Sequence, residues 1–326
     1  MKMKAIGLVS GGIDSALAVW VMKQQGIEVI ALHFLSPFWG KGETAKKMAQ
    51  ASGVTLREVE VGEDYFTMLK NPRYGYGTQM NPCIDCKIWM LRQAKAIMEA
   101  EGASFVFTGE VLGQRPKSQM RNTLRLIEKE SGLAGFLVRP LSAKLLPPTV
   151  PEERGWIIRE SLLDVSGRGR SKQLELAQAW GVQFFSPPAG GCLLTEPNFA
   201  RRLRDLLRSG ETWNRVNIEL LKIGRHFRLT PSFKLIVGRN EEENERLKAF
   251  YHTGDLFLFP LGGKGPCALG RGIWNLELEK EAASLVARYV RSFQSEVVVG
   301  IRDQSGERTL TVHERMSESV VKRYML

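Results

Sequence analysis

The sequence predicts an α/β protein, a doubly wound parallel sheet followed by a second, smaller α+β domain. Three observations carry that prediction. Apolar runs of strand length alternate with helical stretches through the first half of the chain. The first run ends in a Ser-Gly-Gly turn, the place where such a sheet opens an anion site at the carboxyl end of a strand. Beyond residue 197 the alternation gives way to a basic helix and then to short, glycine-punctuated strands.

The elements follow in order. Residues 5–9 form a short apolar strand, and 16–24 read as a helix. Residues 29–34 are a second buried strand, 43–52 a helix closed by Gly53, and 55–61 alternate like a strand. After a loop rich in Tyr, Gly, Asn and Pro, residues 87–101 make a strong helix, and 104–108 the next buried strand. Val138, Arg139, Pro140 and Leu141, and later Gln183, Phe184 and Phe185, read as further edges of the same layer. Residues 198–207 form a basic amphipathic helix, and 216–223 a second helical stretch. Strands at 234–237 and 256–259, a helix at 279–293 and a strand at 296–301 complete the chain. The expected division is 1–196, a catalytic domain; 197–230, a basic helical linker; and 231–326, the α+β domain.

Composition narrows the function classes. With 43% hydrophobic and 25% charged residues the chain is globular, and no apolar run approaches the roughly 20 residues of a bilayer span. The apolar stretch near the N-terminus is too short for a signal peptide and serves better as a first strand, so a cytoplasmic location with no membrane partner is expected. A net charge of +11 favours a polyanionic partner. The four cysteines, in a reducing compartment, point to metal or redox chemistry rather than a disulfide scaffold.

Ser10-Gly11-Gly12-Ile13-Asp14-Ser15 occupies the first strand-to-helix junction. The glycines permit a tight turn and close approach to phosphate oxygens. Ser10 and Ser15 add hydroxyls, and the helix dipole favours negative charge. Asp14 would repel phosphate without a cation, which gives it a Mg²⁺-related role. The loop is neither a Walker-A sequence, lacking Gly-Lys-Ser/Thr, nor a Gly-x-Gly-x-x-Gly fingerprint. The complete string resembles the PP-loop ATP pyrophosphatase superfamily, which implies an adenine nucleotide α-hydrolase-like domain. It also implies cleavage of ATP between the α- and β-phosphates, with AMP left on the substrate.

Cys83 and Cys86 lie three apart before the helix expected from Lys87, and Cys192 falls in a glycine turn after Pro187 and Pro188. Three thiols with no matching histidine make a poor structural zinc site but suit an iron–sulfur cluster with one open iron. A dithiol acting without metal remains an alternative. Cys267 sits in the second domain and reads as structural.

Thr108-Gly109-Glu110-Val111-Leu112-Gly113-Gln114, Ser118-Gln119, Asn122-Thr123-Leu124 and Val138-Arg139-Pro140-Leu141 are similar, in order, to the catalytic domain of the tRNA 4-thiouridine synthetase family. The Asn-Pro-Cys-x-x-Cys string with a late cysteine resembles the cluster-dependent tRNA thiolation enzymes. That resemblance implies a [4Fe–4S] cluster on Cys83, Cys86 and Cys192. It implies ATP and Mg²⁺ at Ser10, Gly11, Gly12, Asp14 and Ser15, adenine near His33 and Phe34, and a second wall at Thr108, Gly109 and Gln114. Asp14, Cys86 and Cys192 are the expected catalytic residues, with Lys117 and Arg115 stabilising developing charge. Because the loop begins at residue 10, the family's N-terminal THUMP domain is not expected here, and no rhodanese-like carrier domain is expected to follow.

The activity implied is ATP-dependent tRNA sulfurtransfer, making thiouridine or thiocytidine through an adenylated base. Sulfur would come from the cluster or from a persulfide on Cys192 resolved by Cys86. A PP-loop ligase or amidotransferase-like enzyme, a small-molecule thiolation enzyme and an RNA-binding module with a vestigial ATP site are the alternatives. Partners expected are tRNA and a sulfur donor, either a protein or free sulfide, with a second copy of the chain as a further candidate.

Arg201, Arg202, Arg204 and Arg208 form the expected RNA-binding stripe. The segment Gly238-Arg239-Asn240-Glu241-Glu242-Glu243-Asn244, supported by Gly262-Gly263-Lys264-Gly265-Pro266, resembles the NFACT-R family, which implies RNA binding. Arg239, Lys264 and Arg271 on glycine-rich turns would suit a phosphate backbone, or else a small capping or dimerisation domain with a basic face. Trp213 and Phe227 read as core residues.

Overall fold

The computed structural model describes residues 3–39, 42–182, 185, 191–262, 264–291 and 295–326. It divides into two compact units, Met1–Thr195 and Glu196–Leu326.

In the first unit β1 (Lys4–Leu8), β2 (Glu28–Leu35), β3 (Thr55–Glu60), β4 (Phe105–Thr108) and β5 (Leu137–Val138) form a parallel sheet of order β3-β2-β1-β4-β5. The order reverses between β1 and β4, so the crevice at their carboxyl ends is the switch point where such folds bind ligands. Helices α1 (Ile13–Gln24), α2 (Glu43–Ser52), α3 (Glu63–Lys70), α4 (Cys83–Ala100), α5 (Arg121–Glu130), α6 (Val150–Glu153) and α7 (Ser171–Ala179) complete the unit. Strands β1, β2, β4 and β5 are largely apolar runs because both faces are covered, whereas the edge strand β3 alternates. Ile6, Leu8, Ile30, Leu32 and Phe34 pack with Ile88 and Leu91 of α4. Ala5, Val29 and Ala31, on the opposite face, pack with Ala16 and Val19 of α1.

The doubly wound fold class is therefore the one expected, with two local differences. Helix α1 begins at Ile13 and α4 at Cys83, so Asp14, Ser15, Cys83 and Cys86 all sit in first turns rather than in preceding loops. Gln183 and Phe184, read as a sheet edge, and Pro187 to Gly190 of the late cysteine turn lie outside the described residues.

The second unit holds an antiparallel sheet of order β11-β10-β8-β9-β7-β6, built from β6 (Arg225–Thr230), β7 (Phe233–Val237), β8 (Leu256–Pro260), β9 (Ala268–Gly272), β10 (Val297–Asp303) and β11 (Gly306–Val312). Its helices are α8 (Pro197–Arg208), α9 (Arg215–Leu220), α10 (Glu241–Ala249), α11 (Leu276–Arg288) and α12 (Glu318–Tyr324). Leu235 and Val237 pack with Ala282 and Val286 of α11, while Ile236 faces Leu220 and Leu247 on the other side. Helix N-termini are closed by Asn214, Asn240 and Asn275, each accepting a backbone N–H three residues on. The segment 197–230, expected as a linker, differs: its helices and β6 belong to this unit. Asp205 of α8 is ion-paired to Arg228 of β6 and Lys234 of β7.

Candidate functional site

The nucleotide loop closes on its own hydroxyls. Ser15 Oγ donates to the Gly12 carbonyl at 2.8 Å and accepts the Ser10 N–H at 3.3 Å, while Gly12 N–H reaches Ser10 Oγ at 3.4 Å. Gly11 has φ of 76°, and a Cβ there would stand 3.0 Å from the Ala45 nitrogen, so both conformation and space require glycine. Gly12 caps α1 in extended conformation without a side chain, and the amides of the first turn lack intrahelical acceptors. The turn is thus shaped to receive an anion at the switch point.

Gly109 forms the opposite wall. A Cβ on it would fall 2.6 Å from the Asp14 carbonyl carbon and the Ser15 nitrogen, so the β4 terminus lies directly against the loop. Asp14 is half-buried, and each carboxylate oxygen accepts one side-chain amide: Oδ2 from Gln114 at 3.1 Å, Oδ1 from Gln173 at 3.3 Å. Thr108 is buried, its hydroxyl bonded to Glu110 at 3.2 Å. His33 and Phe34 cannot flank one ring together, because consecutive strand residues face opposite sides. Phe34 lies in the core edge-on to Trp89 at 5.5 Å, whereas buried His33 bonds the Val9 carbonyl through Nδ1 at 2.9 Å. Lys117 donates to the Gly75 carbonyl at 3.1 Å, and Arg115 is exposed.

Cys83 and Cys86 stand one helical turn apart. Asn81 Nδ2 donates to Cys83 Sγ at 3.2 Å and the buried Tyr65 hydroxyl to Cys86 Sγ at 3.5 Å. The Cys192 segment is stitched beside them, Met80 N–H donating to the Leu194 carbonyl at 3.1 Å and Leu193 N–H to the Phe38 carbonyl at 3.0 Å. Burial pushes Cys86 up to about 11, the Cys83 charge adding to it against Tyr65 and Lys87. Burial likewise pushes Cys192 up to about 12, with the charges of Cys86 and Cys83 contributing. The three thiols therefore share one electrostatic neighbourhood. Among the described residues no group of three or more His, Cys, Asp or Glu is arranged to hold a metal ion. Asp85, between the two cysteines in sequence, accepts the Arg73 and Tyr74 N–H groups instead.

Glu110, Arg139 and Gln173 carry roles that motif reading did not assign. Glu110 is 2% exposed, with Lys87 Nζ at 3.7 Å and Arg139 Nε at 3.4 Å. Burial opposes its charge, but Lys87 and Arg139 outweigh burial and hold the carboxyl below its ordinary range. Because Lys87 follows Cys86 directly, this ion cluster fastens the cysteine helix to the strand end that backs the nucleotide loop. An acidic residue just after an apolar strand was the available signal for Glu110. Nothing local marks Gln173.

In the second unit, the arginine stripe is divided. Arg201 and Arg208 are exposed, whereas Arg202 and Arg204 are half-buried. Arg202 donates to the Leu221 carbonyl at 2.9 Å; burial first, then the Arg239 charge, lowers its pKa. Arg271 is an internal strut to Asp255, Asn217 and the Phe250 carbonyl rather than a free cation. Arg239 chelates Glu243, and Lys264 is exposed. Trp213 and Phe227 are core residues.

Comparison with known proteins agrees with the two resemblances seen in the motifs. Residues 1–144 match the family model described as thiamine biosynthesis protein (ThiI), and residues 224–325 match the NFACT protein RNA binding domain. A probable tRNA sulfurtransferase of Methanothermobacter thermautotrophicus is 33% identical over 129 residues, covering 37% of this chain and 32% of that one. The probable tRNA sulfurtransferase of Methanosarcina mazei is 32% identical over 122 residues, covering 34% and 29%. The chain thus spans about a third of the length of these curated relatives. A solved 4-thiouridine synthetase–RNA complex with bound ATP is similar at 24% identity and TM-score 0.42, covering 60% of this chain and 45% of that one.

Proposed function

We propose that the protein is an ATP-dependent tRNA sulfurtransferase that adenylates a pyrimidine carbonyl and replaces its oxygen with sulfur. One observation carries this: an anion-shaped turn and a three-thiol neighbourhood are anchored to the same strand end, through Gly109 on one side and Glu110–Lys87 on the other. The match of residues 1–144 to ThiI and of residues 224–325 to an RNA-binding family supports the same substrate class.

The glycine turn and the first amides of α1 hold the phosphates. Asp14 fits Mg²⁺ as a hard oxygen donor, since its two partners are neutral amides that leave its charge unspent. The base carbonyl oxygen attacks the α-phosphorus, pyrophosphate leaves, and a sulfur nucleophile then displaces AMP together with the original oxygen. Activation is needed because an oxo group is a poor leaving group. The donor set of Cys83, Cys86 and Cys192, three half-buried thiols, fits an iron–sulfur cluster in kind. When bound, that cluster would supply a sulfide at an iron that no protein side chain ligates. Residues 1–196 make up the catalytic part; RNA is held by the remainder, with Arg201 and Arg208 foremost. The sulfur donor is a partner protein or free sulfide, and a homodimer is compatible with the scheme. No helix among the described residues is long and apolar enough to cross a membrane, and the proposed substrate places the enzyme in the cytoplasm.

The test is mass spectrometry of tRNA nucleosides from a strain lacking the gene, complemented with wild type or Cys192→Ala. One thionucleoside should vanish and return only with the wild type. Persistence of every thionucleoside would remove tRNA as acceptor and favour small-molecule thiolation, the direction in which the thiamine family description points.

A further inference from the structure

Helices α1 and α7 lie side by side and run in the same direction. Trp180, just beyond α7, stacks on Trp20 with ring centroids 4.0 Å apart and planes 5° from parallel. Ala177 packs with Ile13 and Leu17. Gln173, Ala177 and Trp180 stand at i, i+4 and i+7, so all three belong to the seam that meets α1. At two of these positions the seam is apolar. At the third, opposite Asp14, it is a fully buried glutamine.

A glutamine in that position is costly. Its Oε1 is buried without a hydrogen-bond partner, and an aliphatic side chain of the same length would pack without leaving a polar atom unpaired. What the amide does is donate to Asp14 Oδ1 at 3.3 Å, while Gln114, from the loop after β4, donates to Oδ2 at 3.1 Å. Two neutral donors from opposite sides fix the plane of the carboxylate. A lysine or arginine in either place would neutralise it. Amides hold direction and leave the charge available to a cation.

We propose that Gln173, with Gln114, is a positioning residue that presets the Asp14 carboxylate for the divalent cation of the nucleotide. The inference rests on residues 10–15 being the nucleotide loop. Without the clamp, the Asp14 carboxylate must be ordered at each binding event, a loss worth up to about tenfold in affinity.

The experiment measures ATP affinity by titration calorimetry for the full chain, once with excess Mg²⁺ and once with EDTA, alongside thermal unfolding. Gln173→Met keeps the volume and removes the amide. It should unfold at or above the wild-type temperature, bind ATP about tenfold more weakly in Mg²⁺, and match wild type in EDTA. Gln173→Asn keeps an amide one methylene too short to reach and should show the same Mg²⁺-dependent loss. Equal affinity of Gln173→Met and wild type in Mg²⁺ would overturn the assignment. So would parallel weakening in both buffers with a lowered unfolding temperature, which marks a packing role alone. Wild type failing to bind ATP in either buffer would sink the nucleotide-loop reading itself, a result distinct from both.

Discussion

Glu110 is a carboxylate almost closed to water, held ionised by Lys87 and Arg139, and its placement ties the cysteine helix to the strand end behind the glycine turn. Replacing it with glutamine keeps the shape and removes the charge that both cations face. Arg139 would still hold Glu128 at 2.9 Å, so the loss should be about 2 kcal/mol near pH 7, below the usual cost of breaking a buried pair. The pH dependence has a definite sign. The folded carboxyl titrates below its unfolded value of about 4.3, so the contribution is complete above that value and disappears as pH falls through the folded pKa. Thermal unfolding of wild type and Glu110→Gln should therefore differ at pH 7 and converge in strong acid. A constant difference across pH would mean that the charge is not what stabilises this position. At this scale the nucleotide loop was legible because its causes are local: a positive φ at Gly11 and hydroxyls that bond within six residues. Gln173 was not, because its partner lies 159 residues away and a helical glutamine ordinarily reads as a solvent-facing one.

Whole elements were legible where burial is periodic and less so where a motif straddles a boundary. The inner parallel strands stand out as largely apolar runs, and the edge strand β3 by its alternation. The start of α4 is harder to see, because Cys-Ile-Asp-Cys looks like a loop until Pro82 is recognised in the N-cap place. The basic helix α8 shows a different limit. Its amphipathic pattern announces an apolar face but not what covers it, and its arginines look equivalent although Arg202 is tied to Leu221 and Arg201 is exposed. The string from Gly238 to Asn244 likewise has structural work within its own unit. Asn240 caps α10, Arg239 chelates Glu243, Asn244 accepts the Cys267 N–H at 2.9 Å, and a Cβ at Gly238 would strike Asn244. Strand β6 pairs with β7 and is bridged by the C-terminal residues Met325 and Leu326, and Asp205 of α8 depends on Arg228 and Lys234. A chain ended at residue 230 would therefore keep α8, α9 and β6 without the sheet that receives them, leaving an open strand edge. It should be markedly more aggregation-prone by light scattering than a chain ended at Thr195. Equal behaviour of the two would return residues 197–230 to the role of an independent linker.

At the scale of the molecule, the division at Thr195/Glu196 gives each of two units its own core. The first unit contains both the anion turn and the thiols, so the proposed adenylation draws its groups from that unit. The second unit has a six-stranded sheet with packed helices on both faces, enough to fold separately. Two consequences follow for RNA. A fragment of residues 196–326 should show a cooperative unfolding transition and bind single-stranded RNA with an affinity that falls as salt rises. Each phosphate neutralised should contribute about −0.7 to the slope of log affinity against log salt. Arg201→Ala and Arg208→Ala, at exposed positions, should each reduce that slope by about one contact while leaving the unfolding temperature in place. Arg271→Ala should behave in the opposite way, because its guanidinium is held by Asp255, Asn217 and a backbone carbonyl: the fragment loses stability first and RNA affinity only as a consequence. A fragment that folds but shows no salt-dependent affinity for RNA would leave substrate capture to the first unit, and would make the exposed arginines a solvated face of a structural domain.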